Sequence, residues 1–348
     1  MNLATLDRTT ADAPAAPVRA SRPPRLGFLG VGWIGRHRME AIAGDGLATI
    51  AAIADTSPDI LRDAHAVVPQ AEVASSLDAL LERELDGVVI ATPSALHAVQ
   101  CEQCLERKLA VFCQKPLART LDETRRIVHL ARAVDRLLGV DLSYRRTAGM
   151  QVVRELVQGG ALGTIYAVDL VFHNAYGPDK PWFRDPALSG GGCVIDLGIH
   201  LVDLALWTLG FPAVREVQSR LYAGGKRLPA QPGVVEDYAV ATFDLATGAS
   251  VRLACSWNLS AGCDAVIEAH FHGTRGGAVF RNVNGSFYDF VAERFDGRQR
   301  TVLAEPPDAW GGRAATAWAR QLAASPRFDP EIEHLGAVAA VLDAIYGR

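Results

Sequence analysis

No block of lysine and arginine stands out in the 348 residues, and the formal charge is only −4, from 35 basic and 39 acidic side chains. A chain without a basic patch has nothing to neutralise a phosphate backbone, so nucleic acid is not an expected partner. No uninterrupted apolar run approaches the roughly 18–20 residues of a membrane span, so no membrane association is expected. Residues 1–24, MNLATLDRTTADAPAAPVRASRPP, lack both the apolar core of a signal peptide and a twin arginine. They read as a disordered tail, and the expected location is cytoplasmic. Cys101 and Cys104 form one CxxC, but no second CxxC and no histidine pair accompany it. Two reduced thiols are expected there, and a zinc site is not. There is no internal repeat, and no low-complexity segment beyond the tail.

What is present is ample material for a core. Hydrophobic residues make up 49% of the chain and charged residues 21%, the composition of a folded protein. The length suggests two domains.

The first domain is expected over residues 25–145. A short apolar run, Leu26 to Leu29, leads into Gly30-Val-Gly32-Trp33-Ile34-Gly35, and a helical pattern comes after it. A G-x-G-x-x-G between a strand and a helix is a dinucleotide fingerprint. Gly30 permits the tight turn, Gly32 lets the backbone approach a pyrophosphate, and Gly35 lets the helix pack on the sheet. The free N–H groups of the helix then face the phosphates. A second strand, ATIAAIAD, ends at Asp55, twenty residues after Gly35, where a carboxylate accepts hydrogen bonds from an adenosine ribose. Thr56, Ser57 and Pro58 come after Asp55, and no basic residue appears until Arg62. The 2′-phosphate of NADP would meet a negative charge without a cationic partner, so NAD is the expected cofactor and NADP the less favoured one. Helices and strands continue to alternate, which predicts a doubly wound parallel sheet. Ligands bind at the carboxyl ends of such strands. Two of these ends carry ATPSALH, with Thr92, Pro93 and His97, and CQKP, with Gln114 and Lys115.

The remainder, residues 146–348, changes character. TIYAVDLVFH, VREVQSRLYAG, EDYAVATFDL, ASVRLACSW, DAVIEAHFHG, GAVFRN and GSFYDFVAE read as strands, several of them half exposed. WGGRAATAWARQLAAS and PEIEHLGAVAAVLDAIY read as closing helices. The expectation is an α+β domain built on a large, mostly antiparallel open sheet. Too few helices are available to cover both of its faces, and an open apolar face favours self-association.

Within this half, SGGGCVIDLGIHLVDLALW sets Asp196, His200 and Asp203 among apolar residues. On a regular helix the three share one face. That face is either a stripe turned to water or part of a site. Asp203, deeper along the helix, reads as structural. Asp196 and His200 lack a third ligand at suitable spacing, so no metal is expected.

The order and spacing of GVGWIG with Asp55, ATPSALH, CQKP, Tyr144-Arg145, GGGCVIDLGIHLVD, GTRGG and LDAIY are specific as a set. From about Arg25 to the C-terminus the chain resembles the glucose–fructose oxidoreductase / inositol dehydrogenase / rhizopine catabolism (Gfo/Idh/MocA) family of NAD(P)-dependent oxidoreductases. The resemblance implies hydride transfer between nicotinamide and a secondary alcohol of a sugar, inositol or polyol. It also implies a catalytic set of Lys115, Asp196 and His200, a cis Lys115–Pro116 bond, and sheet-to-sheet dimers, often paired into tetramers. In this reading His200 takes the hydroxyl proton, Lys115 holds the oxygen, and Asp196 orients the imidazole or binds a neighbouring hydroxyl. The family motif usually carries Glu before the lysine. Gln114 stands here instead, so Lys115 loses a negative neighbour and a ribose contact loses its charge. Tyr144, Arg145, His173, Asn174, Trp182 and Arg184 are substrate candidates. Trp182, in PWFRDP, offers a face for a sugar ring. An NAD-dependent glycoside hydrolase and a non-catalytic dinucleotide-binding protein remain alternatives.

Overall fold

The computed structural model describes residues 22–229 and 233–348. Residues 1–21 of the expected tail lie outside the described residues; Arg22, still inside it, pairs with Asp86 at 2.7 Å.

The first domain alternates β1 (Arg25–Leu29), α1 (Trp33–Asp45), β2 (Thr49–Ala54), α2 (Pro58–Val67), β3 (Glu72–Ala74), α3 (Leu77–Leu81), β4 (Gly87–Ile90), α4 (Ser94–Glu106), β5 (Ala110–Cys113), α5 (Leu121–Ala133) and β6 (Leu138–Val140). The strands run in the order β3-β2-β1-β4-β5-β6, with every pair parallel. GVVI and AVFC are buried along their whole length, as strands with both faces covered must be. Side chains of Ser57, Ser76 and Thr120 cap α2, α3 and α5, each satisfying an orphan amide. The strand order reverses between β1 and β4, which opens a crevice at the carboxyl ends of both.

A 3-10 turn at Ser143–Arg146 leads into α6 (Ala148–Gln158) and β7 (Ile165–Asn174). Then come α7 (Pro186–Ser189), a π turn at Val194–Gly198 and α8 (Ile199–Thr208). The chain continues through β8 (Val214–Ala223), β9 (Lys226–Arg227), β10 (Tyr238–Leu245), β11 (Ser250–Ser256), β12 (Ala265–Gly273), β13 (Gly276–Asn282), β14 (Phe290–Asp296) and β15 (Gln299–Ala304). It closes with α9 (Arg313–Ala324) and α10 (Leu335–Tyr346). The nine strands form one sheet, β15-β14-β13-β12-β7-β11-β10-β8-β9. Only β7 and β11 pair in parallel; the other pairs are antiparallel. Along β7, Val168, Leu170 and Phe172 turn inward to a core shared with α6, α8 and α10. Asp169 and Val171 turn to the opposite, open face. There Asp169 pairs with Arg252 and His272, and Glu293 with Arg281 and Arg300, so this face is more polar than the sequence suggests.

Three features depart from the sequence expectation. Strands β3, β9 and β15 go unsignalled in the sequence, since none carries a clear alternating pattern. Helix α9 belongs to the first domain and not to residues 146–348 as a unit: Trp318, Ala315 and Leu322 pack with Phe28 and Phe112, the Trp318 and Phe112 rings 5.6 Å apart. Finally, the helical run Pro186–Thr208 is long and apolar enough to count as a membrane span by composition alone. Its apolarity is explained by its position as the central core helix of the second domain, with 83% of that window buried.

Candidate active site

A cleft of about 570 Å³ lies at the carboxyl ends of the parallel strands. Its walls are the glycine loop, the strand ends at Thr92–Ser94 and Gln114–Pro116, the segment Pro178–Phe183, and Ile195–Asp196 of the second domain. The glycines of the loop have separable roles. Gly30 holds φ +82°, and a Cβ there would stand 2.6 Å from the Ala91 carbonyl oxygen. A Cβ on Gly35 would meet the Gly30 carbonyl oxygen at 2.0 Å. A Cβ on Gly32 meets no protein atom within 4 Å. The first and third glycines are therefore required by the fold, whereas the second leaves space that the protein does not use. No side chain caps α1, so its first amides face that space. Trp33 is 63% exposed at the mouth, beside Ile34. This cradle, open at Gly32 and backed by a helix N-terminus, fits a dinucleotide pyrophosphate.

Asp55 closes β2 by accepting from the Val31 and Ser57 amides, each at 2.9 Å. Its carboxylate is thus fixed in place with lone pairs to spare for a ribose. His97 is buried and reaches the Pro116 and Thr92 carbonyl oxygens at 2.7 and 2.8 Å. It staples two strand ends, and both ring nitrogens are engaged by the protein.

The Lys115–Pro116 bond is cis. Lys115 Nζ donates to the Asp196 carboxylate at 2.7 Å and to the Asp196 carbonyl oxygen at 2.8 Å, joining the two domains at the cleft. The other Asp196 carboxylate oxygen accepts from Trp257 Nε1 at 3.1 Å. Asp196 therefore supplies the negative neighbour that Gln114 does not.

Comparison with known proteins agrees with this geometry. Residues 25–142 match the model of an oxidoreductase family with an NAD-binding Rossmann fold, and residues 150–279 match the GFO/IDH/MocA C-terminal domain. The chain belongs to the GFO/IDH/MocA family. It is similar to D-glucoside 3-dehydrogenase of Escherichia coli (strain K12), 31% identical over 58% of this chain and 60% of that one. The match therefore spans only about three fifths of that relative. Inositol 2-dehydrogenase of Rhizobium meliloti (strain 1021) is 27% identical over 74% of this chain and 76% of its own. Among solved structures, levoglucosan dehydrogenase in complex with NADH and levoglucosan superposes with a TM-score of 0.78 at 21% identity, covering 93% of this chain and 96% of the other. As a GFO/IDH/MocA member, the chain belongs to an oxidoreductase family with an NAD-binding Rossmann fold.

In this family member the helix that carries Asp196 has an unusual start. Gly190 is left-handed at φ +86°. A Cβ on Gly191 would stand 2.0 Å from Tyr346 Oη, and one on Gly192 would stand 1.9 Å from the Glu236 carbonyl oxygen. This close approach lets distant groups satisfy the first amides of the helix. The Glu236 carboxylate accepts from the Gly192 and Val194 amides at 3.0 and 2.8 Å, and from Tyr346 Oη at 2.8 Å. The Glu236 carbonyl accepts from the Cys193 amide, and Tyr346 Oη from the Ile195 amide. Burial pushes the Glu236 carboxyl above its usual range, against the opposing pull of these hydrogen bonds.

The regular-helix reading of Asp196, His200 and Asp203 needs correction. The π turn bonds the Ile199 amide to the Val194 carbonyl, which adds a residue to the turn and rotates α8 relative to it. None of the three faces bulk water. Asp196 meets Lys115. His200, 8% exposed, packs on Tyr144 and Phe172 at ring distances of 4.9 and 6.2 Å. Asp196 makes no hydrogen bond to His200, so it does not orient the imidazole directly. Burial, and then the Lys115 charge, hold the His200 pKa well below its usual value. Asp203 is buried and paired with Arg145.

The substrate candidates divide. Trp182 lines the cleft and stacks on Phe183 at 3.8 Å. Tyr144 is buried against His200, and burial raises its phenol pKa. The side-chain oxygen of Asn174, at the end of β7, is buried without a partner. Two candidates, Arg145 and His173, are corrected. Arg145 is committed to Asp203 by a two-pronged ion pair and lies over Trp207 and Phe211. His173 points to the open face, where it bonds Ser256 Oγ at 2.7 Å and stacks on Tyr238, because strand alternation opposes it to Phe172. Arg184 lies against Gly177 and, like His200, Tyr144 and Asn174, is not among the residues that line the cleft. The CxxC cysteines are buried and free, and burial raises the pKa of each.

Sequence reasoning missed Glu236, Tyr346 and Trp257. The triple glycine signalled a close approach without indicating what approaches.

Proposed function

We propose that this GFO/IDH/MocA member is an NAD-dependent dehydrogenase acting on a secondary alcohol of a sugar, cyclitol or related polyol. The observation that carries this reading is the Lys115–Asp196 pair at the seam of the two domains, in the wall of the dinucleotide cleft. Bound NAD would supply the hydride acceptor. Gly32 and the amides of α1 hold its pyrophosphate, and Asp55 its adenosine ribose. Lys115 donates a hydrogen bond to the reacting oxygen and stabilises negative charge developing there. His200, kept neutral by its surroundings, takes the hydroxyl proton on a ring nitrogen. Asp196 holds Lys115 in place and has a lone pair left for a neighbouring hydroxyl. Trp182 presents an aromatic face to the apolar side of a pyranose or cyclitol ring.

Asp55, with no cation beside it, supports NAD over NADP. The open face of the nine-stranded sheet supports assembly into homodimers or homotetramers, which light scattering at micromolar concentration tests.

A panel of sugars, inositols and sugar acids, read as NADH absorbance, tests the activity. Net NADH formation with at least one member is expected. Release of a free sugar without net NADH would replace this reading with the glycoside hydrolase. Tight NAD binding with no turnover across the panel would leave a dinucleotide-binding protein.

A further inference from the structure

The turn that carries Asp196 is held from outside its own sequence. No side chain at its start caps it. The four amides from Gly192 to Ile195 all bond to Glu236 or Tyr346, and the Asp196 amide then bonds back to the Gly192 carbonyl at 3.1 Å. Glu236 stands 42 residues from Val194 in sequence. It is 0% exposed, and among the described residues no cation pairs with it. A carboxylate is favourable at a helix N-terminus, and this one fixes the backbone of the turn through several donors at once. Arg348 seals the far side. It donates to the Gly190 carbonyl at 2.6 Å and lies over the Tyr346 ring at 4.5 Å.

The same segment reaches Asp196 by a second route. The Asp237 carbonyl accepts from the Trp257 amide at 2.8 Å, and the Trp257 indole holds the Asp196 carboxylate. Lys115 registers both routes, because its ammonium bonds the Asp196 backbone carbonyl as well as the side chain. Any shift of the turn moves that carbonyl, and Lys115 with it.

We propose that Glu236 and Tyr346 are positioning residues: they fix the turn and so set where Asp196 meets Lys115, without touching Lys115 themselves. The inference rests on the roles given above to Lys115 and Asp196. It makes two specific substitutions informative. Glu236 Oε1 accepts from Gly192, Val194 and Tyr346, and Oε2 from Gly192. In Glu236→Gln an NH₂ replaces one oxygen and faces an amide N–H, so the cradle cannot be reproduced. Tyr346→Phe removes one hydroxyl and leaves the Ile195 amide without its acceptor.

The test needs no substrate. The chain has four lysines, Lys108, Lys115, Lys180 and Lys226, so acetylation by a trace of acetic anhydride can be followed at each one by peptide mass spectrometry. Lys226, exposed on β9, is the internal reference. Asp196→Asn, Glu236→Gln and Tyr346→Phe should each speed labelling of Lys115 relative to Lys226 by roughly 3–10-fold, the worth of a lost hydrogen bond. Because Glu236 acts through the Asp196 turn, the factors for Glu236→Gln and Asp196→Asn should not multiply in the double variant. A merely structural role would lower the urea midpoint and leave this ratio in the folded protein unchanged. With any sugar that yields NADH, Glu236→Gln and Tyr346→Phe should also lower kcat by about 10-fold or more, the cost of a misplaced group, and hold KM for NAD within about 3-fold.

The inference fails if both variants label Lys115 as wild type does, or if the two factors multiply. Should Glu236→Gln not fold, Tyr346→Phe decides alone. Asp196→Asn separates this failure from that of the proposed reaction. If Asp196→Asn leaves NADH formation unchanged, the part of Asp196 in the reaction falls. If it slows NADH formation while Glu236→Gln and Tyr346→Phe leave Lys115 labelling unchanged, only the role of Glu236 and Tyr346 falls.

Discussion

Asp196 and Asp203 ride on one continuous helical run and have opposite employment. Asp196, its side chain 15% exposed, reaches across the domain seam to Lys115. Asp203, 2% exposed, is gripped by Arg145 of the turn that links the domains. The residue type is the same and seven positions separate them, with a π turn between. Residue type and spacing do not assign the work. The segment that approaches each carboxylate does: a cationic strand end bordering the cleft in one case, a connecting turn sealed under Trp207 and Phe211 in the other. In the proposed function the first carboxylate serves chemistry, while the second holds the helix in place.

The comparison breaks most visibly at the residue between them. His200→Ala should lower kcat by about 10²–10⁴-fold, the worth of a positioned acid or base, with NAD affinity unchanged in a titration. Turnover near the wild-type rate would place the base elsewhere. Next comes a third carboxylate, Asp55. Asp55→Ser with Thr56→Arg should shift the ratio of kcat/KM for NAD over NADP by roughly 10²-fold toward NADP. Equal use of the two cofactors by wild type would remove Asp55 as the selector. Asp203→Asn should spare NAD binding and cost about 2–3 kcal/mol in urea unfolding. That is less than the roughly 3–5 kcal/mol of a fully buried pair, because Arg145 can partly reach water. Loss of activity at unchanged stability would move Asp203 to the catalytic side.

The smallest effect concerns pH. The folded-state pKa of His200 lies below that of the unfolded chain, about 6.5. The unfolded state therefore binds more protons as pH drops. The His200 contribution to stability is intact above about pH 6.5 and is lost as pH falls toward the folded value, with a slope of at most about 1.4 kcal/mol per pH unit. Asp203 behaves in the opposite sense: burial raises its pKa, so its contribution is present below the unfolded value and lost as pH rises through the folded one. Urea midpoints of wild type and His200→Ala between pH 5 and 8 should converge at the acid end and part above pH 6.5.

Much of this was legible in the sequence, for local reasons. GVGWIG, Asp55 and the buried runs GVVI and AVFC depend on turn chemistry and burial, which a short window carries. Even the orientation of His173 was readable, since Val168, Leu170 and Phe172 set the inward phase of β7. The meeting of Lys115 with Asp196 was not, because 81 residues separate them and only family resemblance joined them. The same kind of distance hid Glu236 and Tyr346, which lie in ordinary strand and helix text. Helix α9 was misplaced because an amphipathic pattern does not say which sheet it covers.

The glycines give the protein two kinds of intolerance, which a saturation library would sort. At Gly191 and Gly192 a single added carbon meets the Tyr346 hydroxyl or the Glu236 backbone, so substitutions there should vanish from any screen for soluble expression. At Gly32 the same carbon meets no protein atom. Those variants should accumulate normally and drop out only when selection demands dinucleotide capture. Sequencing the two survivor pools would separate glycines kept for the fold from one kept for the ligand, with no substrate in hand.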